Sequence, residues 1–592
     1  MKLPFMNELD THRNMVDVFR GYNHNLRIEE GEFFDMTNIS SVRYPVLSPR
    51  SKRGVYAKPS DPQGLARYDN LCYVDGSDFV VDGYPVAMGL STDPEDCPKQ
   101  IIRMGAYAII MPDKKYINLT DLTDFGRIEA DKETSGTVSF EMCKVDGSSY
   151  ETRVKGASAP VITEEMKSGK ETIPLWLDTS STPHSLKQYS TSSKMWVTIG
   201  TTYVKITATG IGQPFSVGDG VTISGIEIEQ LADLNSTMVI WDKGDNYIIV
   251  IGILDDATSQ ETPVTVSRLM PTMDFVIEAG NRLWGCFYGT KKVNGETVMV
   301  NEIYASKLGD FRNWNCFSGI STDSYAVTVG TDGQFTGAVT HLGYPLFFKE
   351  NYLHKIYGNY PANYQVNTTA CRGVQRGSHK SLAIVNEVLF YKSRNAVCAY
   401  DGSLPQEMSY ALGEAAYSEA VAGSHGNKYY ISMKNDSDGL WSLFVYDVSK
   451  GLWHREDNTR ADDFCSCRGE MYYIDNKTKH IMTVNGSGDP SGETVEWMAE
   501  TGIIGTDSPD KKYISKLNVR MSLDVGSTVS FFVQYDSCGA WESLCHMTGT
   551  SLRTFTIPIR PKRCDHLRLR IEGTGDANIF SITKTIEQGS DV

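Results

Sequence analysis

Short runs of alternating apolar residues, broken by tight Gly, Asn or Asp turns, recur through this chain and constrain its fold more than any other feature. Residues 65–86 carry the pattern first, with Asp69-Asn70 and Asp75-Gly76 as hairpin turns between an aromatic-rich strand and its neighbours. It returns at 101–119, 275–306, 335–357, 382–400, 419–447 and 461–484. Apart from one gap the spacing is roughly 35–60 residues, the range of propeller blades. A single three- or four-stranded unit has an apolar face that it cannot bury alone, and stacking such units around an axis buries those faces while leaving only short edges. The pattern therefore predicts an all-β chain built on a β-propeller of about seven blades. A set of separate sandwiches sharing the same hairpin chemistry is the competing arrangement.

The spacing divides the 592 residues into an extended N-terminal arm (1–60), first propeller blades (61–122), an inserted β-rich region (123–270), the remaining blades (271–490) and a C-terminal β-sandwich (491–592). Within the insertion, residues 194–269 alternate with period two and turn at Gly218-Asp219-Gly220 and Lys243-Gly244-Asp245, which predicts a small β-barrel or sandwich. Residues 516–535, 552–559 and 566–587 form longer alternating runs, as expected of sandwich strands with one face in a core. No segment supports a long amphipathic helix. The arm stretch 19–54 is polar and interrupted by Gly and Pro, so it has no core of its own and must be fixed by a larger body.

A formal charge of -16 argues against a surface that grips nucleic acid through its phosphates, a mode that needs a basic footprint. The twelve cysteines are scattered, without paired CxxC spacing, and most sit in apolar runs; they read as buried free thiols of a protein assembled in a reducing cytosol. The first fifteen residues contain no apolar h-region, and no run approaches the roughly 18 apolar residues of a membrane span, so no membrane insertion is expected.

Catalysis on a propeller needs converging acids or cations. Asp35, Asp75, Asp78, Asp82, Asp310, Asp332 and Asp401 are distributed, and most lie beside glycine, where Asp serves as a turn former. The nearest approach to the Asp box of sialidase-like propellers, Ser437-Asp438-Gly439-Leu440-Trp441, has the wrong spacing. The eleven histidines show no HExxH or HxH metal spacing, and no GxSxG, P-loop or dinucleotide-binding glycine fingerprint occurs. These observations predict no enzyme activity, no catalytic or metal residues and no cofactor.

The order Phe19, Gly21, Asn25, Gly31-Glu32, Asp35, Asn38, Pro45, Leu47-Ser48-Pro49-Arg50 and Arg53 resembles the amino-terminal signature of β-propeller proteins in tailed-bacteriophage virions. That family includes the tail tubular (nozzle) and head-tail stabilisation proteins of short-tailed phages. IYASKLGDFRNWNCF at 303–317 is similar to a strand and turn midway through such propellers, residues 205–241 to a small β-barrel module of phage structural proteins, and 567–592 to their C-terminal sandwich. The resemblance implies a non-enzymatic structural protein of the tail nozzle, tail tube or head-tail junction. It would form a homo-oligomeric ring, six copies by likeness to nozzle proteins, and contact other head-tail or tail proteins. Genomic DNA would transit the ring without sequence-specific binding, and the protein would reside in the virion after assembly in the host bacterial cytoplasm. On this reading the arm holds neighbouring parts together, and Tyr22, Asn25, Arg27, Glu32, Asp35, Asn38, Arg50 and Arg53 are its candidate interaction residues.

A second reading is a glycan-binding or glycoside-hydrolysing propeller in a phage tail, serving receptor recognition, with Trp284, Tyr288, Trp314 and Trp441 as rings that could stack on sugars. Core packing is the simpler account of those rings. A generic cellular interaction scaffold is a third, which the absence of WD and kelch landmarks disfavours.

Overall fold

The computed structural model describes residues 11–150, 153–293, 296–486, 489–490, 492–506 and 510–588, so residues 1–10 of the expected arm lie outside it. Among the described residues, propeller-type antiparallel sheets occur at 62–86, 100–127, 275–328, 335–370, 383–407, 417–455 and 461–483, seven blades in all. Their inner strands are buried on both faces: Leu71–Asp75, Val388–Lys392 and Trp441–Asp447 are almost continuously buried, while outer strands such as Tyr84–Val86 are exposed. Continuous apolar runs at the centre and polar, short strands at the rim are what face-to-face stacking of blades demands.

The chain divides into two compact units. The first comprises residues 1–101, 333–355 and 368–592. In it, Leu346 and Phe348 pack with Leu389 and Tyr391, Tyr430 and Leu443 with Phe464 and Met471, and Cys467 and Ile474 with Leu71 and Val80. The last blade is closed by a distant strand. Gly54–Ala57 pairs antiparallel with Ile481–Thr483, so its outer strand comes from the other end of the chain.

The sandwich of this unit is organised by Lys512–Tyr535, a 24-residue strand. Its first half pairs with Ala577–Gln588, its second with Leu567–Thr574, and Glu542–Ile557 runs along the other edge. Alternate residues from Leu517 to Tyr535 enter one core with Leu567, Leu569, Ile571 and Ile579. The arm joins this sheet: Thr11–Val16 pairs with Ala577–Gln588, Glu32–Thr37 with Glu496–Thr501, and Tyr22 with Trp453 of a blade. Only glycine fits at 21, where φ is +85° and a Cβ would run into the Trp453 carbonyl oxygen.

The second unit comprises residues 102–332 and 356–367. Ile109 and Met111 pack with Val276 and Leu283 of its 275–328 sheet. The insertion folds into three sheets about a core of Val138, Phe140, Leu177, Val204, Ile206, Val221, Ile248 and Val266, so it takes the sandwich form with no closed barrel among the described residues. Met195–Thr198, expected within the barrel, pairs instead with Ser185–Ser190 in a separate sheet. Alternation fixes which face of a strand is buried but not which strand it pairs with.

Where the arm meets the last blade, two guanidinium groups are almost fully buried. The Arg53 Nη atoms donate to Glu456 Oε2, Asp457 Oδ2 and Thr459 Oγ1, each at 2.7 Å, and Arg50 donates to Glu493 at 2.6 and 3.2 Å and to Asn38 Oδ1 at 2.8 Å. Burial works against the Asp457 carboxylate, yet Arg53, the Thr459 hydrogen bonds and Arg50 together hold it below its usual pKa of 3.8; Glu493, half-buried, is held below 4.5 by Arg50 and by the Arg53 backbone N–H. Folded pKa values below the unfolded ones mean that the folded state binds fewer protons. The stabilisation is complete above the unfolded values and disappears as pH falls through the depressed ones. Arg53→Met, which leaves Glu456 and Asp457 only their longer contacts with Arg50 at 3.8 and 3.6 Å, is expected to cost about 1–3 kcal/mol at pH 7. In urea melts the gap between wild type and variant should narrow as pH is lowered below about 4.

Candidate functional site

Between the Asn23–Gly31 loop of the arm and the C-terminal sandwich lies a cleft of about 490 Å³, within the range of small-ligand sites. Val16, Phe19, Ile28, Phe33, Ile504 and Leu569 make up much of the apolar half of its lining. Glu29, Glu30 and Glu32 bring three carboxylates to the same cleft, together with Arg27, His12, Asn14 and Lys584.

The local sequence explains this clustering. Gly31 adopts φ +94°, and a Cβ there would run into the Val18 carbonyl oxygen, so the chain reverses at a point that only glycine permits. The turn is closed by Glu32 N–H donating to Glu29 O at 3.1 Å and Arg20 N–H to Gly31 O at 2.7 Å. Reversal within Glu29-Glu30-Gly31-Glu32 turns three acids toward one space.

Each carboxylate is held differently. Glu32 Oε2 accepts from Asn23 Nδ2 at 2.9 Å and from the Glu29 backbone N–H at 2.7 Å. Glu30 accepts from Asn14 Nδ2 and from the Lys584 ammonium, whose side chain is only 5% exposed. Glu29 accepts from Arg20, both groups standing in solvent at 73% and 52% exposure. The result is an apolar floor with fixed acceptors and cations at its rim. Such a surface suits a ligand that combines hydroxyl groups with C–H faces.

Arg27 and Glu32, singled out in the sequence, line this cleft; the other candidate interaction residues are placed within the chain's own body. Tyr22 is buried with its ring 5.6 Å from that of Phe444. Asn25 donates to Tyr410 O and Asn23 Oδ1, Asp35 accepts from Met36 N–H and Arg455, and Asn38 donates to Glu496 O. Arg50 and Arg53 form the buried clamp already described. Sequence reasoning missed Glu29, Glu30 and Lys584. The acidic run beside Gly31 was the available signal for the first two, whereas nothing local marks Lys584, which reaches the cleft only through sheet pairing.

The aromatic candidates serve packing. Trp284 and Trp314 are buried with indole N–H groups donating to Ala279 O and Phe311 O, Tyr288 is half-buried, and Trp441 lies under the Arg460 guanidinium at 4.8 Å. Asp310 and Asp401 accept hydrogen bonds within their own turns, and Asp75 accepts from Ser60 Oγ and the Asp61 backbone N–H. Among the described residues no cluster of three or more His, Cys, Asp or Glu could hold a metal ion, and no helix is long and apolar enough to cross a membrane.

No family model and no curated protein matches the chain. Solved structures that match include an exo-β-1,3-galactanase from Phanerochaete chrysosporium with galactose, at 8% identity and a TM-score of 0.20 over 52% of this chain and 94% of that one. Another is the Trypanosoma rangeli sialidase in complex with sialic acid, at 9% identity and a TM-score of 0.21 over 91% and 95%. The expectation of a non-enzymatic ring protein of the nozzle, tube or head-tail junction, and with it the expectation of no enzyme activity, is corrected against these matches, which are glycosidases rather than virion proteins. There is also a physical reason within the chain. Asn25, Glu32, Asp35, Asn38, Arg50 and Arg53, on which a ring depended, spend their hydrogen bonds and charges inside their own subunit. At such TM-scores the matches carry no argument for an activity, and the reading below rests on the cleft.

The two ion pairs of the loop separate by exposure. Glu30→Gln leaves the buried Lys584 ammonium without its charged partner and is expected to cost about 1–3 kcal/mol. Glu29→Gln removes a solvent-screened pair and should cost under about 1 kcal/mol. Urea denaturation of the two variants, at unchanged m-value, measures the difference.

Proposed function

We propose that the protein recognises a glycan in the cleft beneath the Asn23–Gly31 loop, as a component of a bacteriophage tail that engages saccharide on the host surface. The observation that carries the reading is the cleft itself, in which three carboxylates and the Arg27 and Lys584 cations border an apolar floor. Carboxylates and amides accept and donate to sugar hydroxyls, while Leu26, Ile28 and Ile504, which keep exposed surface, cover the C–H faces of a ring. The virion setting rests on the resemblance of the arm, the 303–317 segment and the C-terminal sandwich to phage propeller proteins. The free state of all twelve cysteines supports assembly in a reducing host cytosol.

The carboxylate set favours a second reading of the same site, cleavage of the bound glycoside. That chemistry needs one carboxyl to protonate the leaving oxygen and another to attack the anomeric carbon or to activate water. Glu30, fixed by Lys584 and Asn14, is the carboxylate best held for the second task.

Binding of the purified full chain to a panel of bacterial surface polysaccharides and their oligosaccharides tests both readings. At least one glycan should bind, with affinity lowered about tenfold by Glu32→Gln, equivalent to about 1.4 kcal/mol. Release of reducing ends that is lost in Glu30→Gln would add the hydrolytic step. Absence of binding across the panel, or binding unchanged by substitutions in the cleft, would overturn the assignment.

A further inference from the structure

A different cluster lies at the end of the long sandwich strand. Lys512–Tyr535 terminates in a turn in which Asp536 and Ser537 both adopt φ +50°, a left-handed conformation that non-glycine residues enter at an energetic cost. Ser537 Oγ is 2.7 Å from His566 Nε2, and His566 Nδ1 is 2.8 Å from Asp565 Oδ2. With a carboxylate on Nδ1, that nitrogen carries the proton and Nε2 is left as the acceptor for the serine hydroxyl.

The frame around these groups is fixed from both sides. Asp536 Oδ1 accepts from the backbone N–H of Asp565 at 2.7 Å and of His566 at 3.3 Å, and Asp536 N–H donates to His566 O at 3.0 Å. Asp565 and His566 are themselves bracketed by buried Cys564, which exchanges two 2.9 Å backbone hydrogen bonds with Lys512, and by buried Leu567 at the start of the next strand. The serine stands exposed, and the imidazole retains 21% exposure. The His566 hydrogen bond holds the Asp565 carboxyl below its usual range, so it stays ionised opposite the imidazole at neutral pH.

From this geometry we propose that Ser537, His566 and Asp565 form a nucleophile, base and positioning carboxylate that hydrolyse a small acyl ester presented on an exposed substrate. Ser537 Oγ bonds to the acyl carbon as its proton passes to His566 Nε2. The ester C–O bond then breaks, and the departing alkoxide takes that proton and leaves as the alcohol. Water attacks the acyl-serine, giving a proton to Nε2. The acyl–Oγ bond breaks, Oγ recovers the proton, and a carboxylic acid is released. Water is the only co-reactant. Open surroundings suit a short acyl group on a large molecule rather than a ligand enclosed in a pocket.

The test uses the full chain with a fluorophosphonate probe and p-nitrophenyl acetate. Peptide mapping should find the phosphonyl adduct on Ser537, and Ser537→Ala should abolish it. His566→Ala should lower acetate release by about 100-fold or more. Asp565→Asn should lower kcat for acetate release about tenfold or more with KM little changed, and Asp565→Glu should recover part of the loss; a merely structural carboxylate would leave kcat in place. Ser530→Ala serves as the control, since Ser530 Oγ contacts His546 Nδ1 at 2.9 Å on the same sandwich and lies outside the proposed site. An adduct on another residue, no adduct at all, or ester turnover that survives Ser537→Ala would overturn the proposal.

Discussion

The buried contact of Arg50 and Arg53 with Glu456, Asp457 and Glu493 is the constraint on which the rest of the first unit depends. Stretch 19–54 has too few apolar residues to fold alone, and ordering it costs conformational entropy at every position. Phe19, Tyr22, Phe33, Met36, Ile39 and Leu47 recover part of that by entering the sandwich core, and the two guanidinium groups fix the last turn before Gly54–Ala57. A desolvated charge is tolerated only when its partners are in place, so this contact tolerates little displacement. Register is set at once in both directions from it. Downstream, Gly54–Ala57 docks on Ile481–Thr483 and closes the last blade; upstream, Glu32–Thr37 lies between the arm turn and Glu496–Thr501, which positions the cleft loop.

The blades were legible in the sequence because two signals coincide in them, a turn at a fixed interval and a central strand too apolar to face water. Leu71–Asp75 and Val388–Lys392 illustrate both. The insertion was less legible, since period two is common to a strand in any sheet. Met195–Thr198 alternates as a barrel strand would, yet it pairs in another sheet. The arm was recognised as a segment that must be fixed by a larger body, while the identity of that body was not readable. Arg50 and Arg53 look like outward cations after a proline. Their carboxylate partners lie some four hundred residues away, and no local pattern announces them. Lys584 was hidden for the same reason. His566 and Ser537 are separated by the whole strand Glu542–Ile557, so their meeting is a property of sheet register rather than of any motif.

This division also explains where chemistry can reside in the first unit. A blade's inner strands are covered on both sides, so the polar side chains they carry, such as Lys349 and Lys392, are buried, and in the turns Asp401 caps its own backbone while Asp75 holds the Ser60-Asp61 segment. The sandwich is built differently. Leu567–Thr574 alternates strictly, so one face feeds the core while the other holds Arg568 and Arg570 against Glu500. Leu569 forms part of the cleft wall, and His566 stands immediately before the same strand. One register therefore fixes the floor of one site and the base of the other. A slip of a single residue in that strand would turn Leu569 outward and carry His566 away from Ser537, so the pairing of Leu567–Thr574 with the second half of Lys512–Tyr535 is the structural condition common to both.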